Sequence, residues 1–80
     1  MAKSKIETVS DAIRQFFVKK AYNGNLRFTI YELEQYVLKT FSVHYDSISR
    51  IMRRMKQNGV VDYDVVDRAN AEYRVLAVSF

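Results

Sequence analysis

Val43-His44-Tyr45-Asp46-Ser47-Ile48-Ser49-Arg50-Ile51-Met52-Arg53-Arg54-Met55-Lys56-Gln57-Asn58-Gly59-Val60-Val61 holds two periods, and the change between them sets the fold. Ile48, Ile51, Met52 and Met55 recur at helical spacing, so one apolar stripe runs along this segment. With the core centred on Ile48, Met52 and Met55, about 100° per residue places Asp46, Arg50, Arg53 and Gln57 on the opposite face, flanked by Ser47, Ser49 and Arg54. Gly59, next to Asn58, supplies a left-handed exit from the helix. Ser42 and His44 both remain open as its N-cap.

After Gly59 the period becomes alternating. Val61, Tyr63 and Val65 take one face of a strand, and Asp62 and Asp64 the other. Asp67-Arg68-Ala69-Asn70-Ala71-Glu72 is polar and forms a turn, and Tyr73 to Val78 returns as a second strand, giving a β-hairpin.

Before this stretch, Thr29-Ile30-Tyr31-Glu32 carries a capping box, with Leu33, Tyr36 and Val37 on one face of a helix from about Ile30 to Lys39. Thr40-Phe41-Ser42-Val43 connects it tightly to the next helix. Ser4 and Glu7 form another capping box, and Ile6, Val9, Ile13, Phe16 and Phe17 follow at helical spacing, so a first helix is expected from about Lys5 to Lys20. Tyr22-Asn23-Gly24-Asn25 ends it. Leu26-Arg27-Phe28 is a short extended segment placed to cover one edge of the hairpin. The expected order is helix, strand, helix, helix, strand, strand, in an α+β fold.

Composition narrows the function. The 80 residues carry 13 Lys and Arg against 9 Asp and Glu, a net charge of +4, which makes polyanions plausible partners. Residues 1–59 hold 11 basic and 5 acidic side chains, net +6, whereas residues 60–80 are net −2, so a polyanion-binding face belongs before residue 60. Cysteine is absent, which excludes disulfides, thiolate metal sites and cysteine nucleophiles. His44 has no second soft ligand at metal spacing and reads as a turn or capping residue. Asp62, Asp64 and Asp67 lack the Gly and terminal Glu of a calcium loop. Met52 and Met55 read as core. No nucleophile elbow, phosphate loop or paired acid and base is present, so neither an enzymatic activity nor a cofactor is expected. No apolar run approaches a membrane span. The expectation is one soluble, cytoplasmic domain over residues 1–80, with no small-molecule substrate. Six tyrosines are present. Most of their rings should pack, with Tyr45 the exception ahead of the core stripe.

Two helices joined by a short turn, the second ending in Asn58-Gly59 and running into a hairpin, resemble the winged helix-turn-helix family over nearly the whole chain. The stretch from Leu33 to Val43 departs from the compact bacterial pattern by about one extra helical turn and lacks the usual turn glycine. The resemblance implies sequence-specific binding of double-stranded DNA by a small transcriptional regulator. The third helix would enter the major groove, and the hairpin wing would lie on the backbone or in the minor groove. It implies Tyr45, Asp46, Ser47, Ser49 and Arg50 as base readers and Arg53 and Arg54 as phosphate holders. Arg68, Asn70 and Arg74 belong to the wing. The start of the second helix, with the backbone N–H groups of Thr29 to Tyr31 and Arg27 beside them, offers a phosphate site. Asp62 and Asp64 should point away from DNA. A homodimer through helix 1 or the C-terminal strand ending in Phe80 is compatible, as is a viral or mobile-element origin. The rival readings are a protein-interaction module on the same scaffold and a binder of structured RNA.

Overall fold

The computed structural model describes residues 8–79. Three helices and three strands follow in the expected order: α1 Val9–Asn23, β1 Arg27–Thr29, α2 Ile30–Leu38, α3 Tyr45–Gln57, β2 Val61–Asp67 and β3 Glu72–Val78. The fold is α+β, and its order and sheet are consistent with a winged-helix topology.

Each helix boundary has a local cause. Thr8, in extended conformation, caps α1 by accepting a hydrogen bond from the Asp11 N–H at 3.1 Å. The expected Ser4 and Glu7 box lies outside the described residues. The helix continues to Asn23, three residues beyond the expected Lys20, and stops where Gly24 adopts φ 74°. Thr29 and Glu32 form the reciprocal capping box on α2 as expected. His44, not Ser42, caps α3: its ring Nδ1 accepts from the Asp46 N–H at 3.2 Å. At the other end, Val60 N–H donates to the Met55 carbonyl at 3.0 Å and Gly59 N–H to that of Lys56 at 3.1 Å. This is a Schellman closure with Gly59 at φ 77°.

The sheet order is β1-β3-β2, antiparallel throughout. β1 begins one residue later than Leu26 and pairs Arg27 with Arg74, Phe28 with Tyr73 and Thr29 with Glu72. It therefore covers the edge of β3, as expected. Register shifts interrupt the β2 and β3 pairing between Asp62 and Tyr63 and between Val65 and Asp67.

Helical and alternating stripes meet in one core. Ile13 and Phe17 of α1, Leu33 and Val37 of α2, Ile48 and Met52 of α3, and Phe28, Val61, Tyr63 and Val75 of the sheet are all buried. Phe28 joins the layers: its ring packs edge-on against Phe16 and Phe17, each at 5.3 Å, and stacks on Tyr73 at 5.6 Å.

One expectation about burial needs correction, and one shared strand face is covered only in part. Val65 does not share the burial of Val61 and Tyr63. It is 50% exposed, because an open cleft separates this part of β2 from α3. Of the six tyrosines, Tyr36, Tyr63 and Tyr73 pack, whereas Tyr22 and Tyr31 join Tyr45 in being exposed. Among the described residues no helix is long and apolar enough to cross a membrane.

Candidate nucleic-acid interface

The exposed face of α3 is built by the burial of its other side. With Ile48, Met52 and Met55 locked into the core, Arg50, Arg53 and Arg54 must project outward. Ser47 and Ser49 are half-buried beside that face, and Tyr45 and Asp46 are exposed at its N-terminal end. The Tyr45 ring stacks on His44, with centroids 4.6 Å apart, so the capping residue also positions the aromatic one. The His44 Nδ1 lies 3.6 Å from an Asp46 carboxylate oxygen.

Charge pairing separates six of the seven arginines into two groups; the seventh, Arg14 of α1, donates to the Ser79 carbonyl at 3.1 Å. Arg27 is bound to Glu72 at 2.8 Å, and Arg74 to Asp64 at 3.2 Å. Both lie on the sheet, where cross-strand register brings acid and base together. Arg50, Arg53, Arg54 and Arg68 form no ion pair among the described residues. These four guanidinium groups therefore retain full capacity to bind an anion, whereas Arg27 and Arg74 must first release a carboxylate.

The start of α2 is less open than the phosphate site expected from sequence. The Thr29 N–H donates to Glu32 at 3.0 Å, the Ile30 N–H to the Ala71 carbonyl at 3.0 Å, and the Glu32 N–H to the Thr29 hydroxyl at 3.3 Å. Of the three backbone donors expected to face a phosphate, the capping box takes that of Thr29 and the base of the hairpin turn that of Ile30, leaving that of Tyr31. Tyr31 nevertheless reaches the α3 face. With Ile30, Glu34, Tyr45, Asp46 and Ser49 it lines a pocket of about 480 Å³ where α2 meets the beginning of α3.

Glu34 is a site residue that periodicity did not single out. Partial burial, followed by the nearby Asp46 charge, raises its pKa above the ordinary value of 4.5. Its signal was its place three residues after Tyr31 and four after Ile30, on the same side of α2. The pair makes the N-terminal end of α3 locally acidic within an otherwise cationic face.

The hairpin tip is internally braced. The Asp67 carboxylate accepts from the backbone N–H groups of Ala69 and Asn70, and from the Asn70 side-chain amide at 2.7 Å. These bonds hold the Asp67 pKa below 3.8, and Asn70 is thereby a turn-forming residue. Arg68 projects from the tip and lines, with Arg53, Lys56, Ser49, Asp64 and Val65, a cleft of about 470 Å³ between α3 and the hairpin.

The β2 acids, expected to point away from DNA, lie on the α3 side of the hairpin. Asp62 pairs with Lys56 of α3 at 2.6 Å, and Asp64 lines the cleft itself. Each is matched by a cation, which removes much of the repulsion that motivated the expectation. Among the described residues no three His, Cys, Asp or Glu side chains gather in a set able to hold a metal ion. Comparison with protein-family models, with characterised proteins and with solved structures gives no match, so the geometry above is what bears on function.

Proposed function

We propose that the chain binds double-stranded DNA through α3 and the hairpin tip, acting as a small sequence-specific regulator of transcription. The observation that carries this reading is a cluster of cations: among the described residues Arg50, Arg53 and Arg54 on one helix face and Arg68 on the adjoining hairpin form no ion pair, while Arg27, Arg74, Lys20 and Lys56 each meet a carboxylate. Forked guanidinium groups suit phosphate oxygens and the O6 and N7 edge of guanine, and a major groove admits a helix. Arg50, nearer the N-terminal end of α3 beside Tyr45, Asp46 and Ser49, reads bases; Arg53, Arg54 and Arg68 hold phosphates.

Fluorescence anisotropy on a randomised duplex pool at two salt concentrations tests this. The comparison is between the native chain and a variant with Arg50, Arg53 and Arg54 all changed to Ala, its fold checked by circular dichroism. Salt-dependent binding by the native chain, lost in the folded variant, is the expected result. Equal binding by both chains overturns the placement on α3, and no binding by either overturns the DNA reading in favour of a protein partner.

A further inference from the structure

The cleft between α3 and the hairpin has cationic walls and an apolar patch. Arg53 stands on the helix side and Arg68 on the hairpin side, neither in an ion pair among the described residues. Val65, 50% exposed, lines the same cleft, as does the buried Met52. The other charged groups lining the cleft are occupied: Lys56 binds Asp62 at 2.6 Å and Asp64 binds Arg74 at 3.2 Å.

We propose that Val65 packs against the sugar of a nucleotide whose flanking phosphates are held by Arg53 and Arg68, and that this contact makes the cleft select deoxyribose over ribose. The inference rests on the nucleic-acid reading above and identifies the sugar that this part of the site accepts. A phosphodiester strand presents phosphate, sugar and phosphate in succession, and the cleft offers two guanidinium groups and an apolar side chain to such a strand. A deoxyribose offers a CH₂ at the 2′ position. A ribose offers a hydroxyl, which loses water against the valine methyl groups and gains no hydrogen bond from them.

The test uses one duplex sequence in three forms: all DNA, one strand ribose, and one strand 2′-fluoro. The fluoro sugar favours the same A-like helix as ribose but lacks the O–H donor, so it separates helix shape from the hydroxyl. Each strand is substituted in turn. The native chain should bind the ribose form about ten-fold more weakly than the fluoro form, the size of one unpaired hydroxyl buried. Val65→Thr keeps the β-branched shape and adds a hydrogen-bonding partner, so it should narrow the gap between ribose and fluoro forms to about two-fold. A native chain that binds ribose and fluoro forms alike, or a Val65→Thr variant that leaves the gap unchanged, overturns the sugar assignment alone. A native chain that binds none of the three duplexes overturns the DNA reading as well.

Discussion

Arg50 and Arg54 leave α3 one turn apart, yet their surroundings assign them different work. Arg50 is nearer Tyr45, Asp46 and Ser49 at the end proposed to meet bases, and Arg54 lies toward the C-terminal half. Arg50→Ala should cost about 1 to 3 kcal/mol of discrimination between a selected site and random duplex. Arg54→Ala should weaken both sequences alike. Titrating both variants on the two duplexes checks the division, and equal losses for Arg50→Ala would remove it from the readers. Gly59 offers a prediction independent of DNA. Nothing lies within 4 Å of a Cβ placed there, so the strain of Gly59→Ala is confined to the backbone at φ 77°. A loss of about 1 to 2 kcal/mol is expected in urea unfolding, with no change in binding by the folded fraction. Gly59 and the α3 arginines were legible in the sequence because their signals are local: a glycine after a periodic run, and a polar face opposite Ile48, Met52 and Met55. The neutralisation of Arg27 and Arg74 was not legible. It depends on which residues stand opposite or diagonal to each other across three strands, and no local period encodes that register.

Among the elements, α2 differs most in role from its sequence reading, although its capping box was read correctly. Sequence identifies the donors at a helix start, but the neighbour that accepts them can come from a distant segment, here Ala71 in the hairpin turn. The α2 N-terminus therefore joins hairpin to helix. Thr29→Ala removes the cap and should cost about 1 kcal/mol, measured by urea unfolding, with DNA affinity unchanged once the fraction folded is accounted for. Weakened binding in the fully folded variant would return Thr29 to the phosphate contacts. The exposure of Val65 and Tyr31 escaped the sequence for a related reason: alternation and helical spacing fix which side a residue takes, not whether another element covers that side.

For the molecule as a whole, the pairing of charges sets how salt and pH act. Three arginines on phosphates, Arg53, Arg54 and Arg68, each releasing about 0.9 counterion, give a slope of about −2.7 for log affinity against log salt. A slope near zero would contradict the interface. The ion pair of Lys56 with Asp62 links α3 to β2 and sets limits in pH. A hydrogen bond from Lys56 lowers the Asp62 pKa below 3.8, so the pair's contribution to stability is complete above that value and is lost as pH falls through the lower, folded one. The same hydrogen bond raises the Lys56 pKa above 10.5, so the contribution is complete below 10.5 and is lost as pH rises through the higher, folded one. Thermal unfolding of Asp62→Asn should therefore depend less on pH at both ends than that of the native chain, and identical profiles would show that the pair contributes nothing to stability. The hydrogen bond from Ile30 N–H to the Ala71 carbonyl also gives this small molecule an internal clock. That amide can exchange with solvent deuterium only when the hairpin base and the first turn of α2 part company, so its exchange rate in the free chain counts how often the wing lets go of the helices.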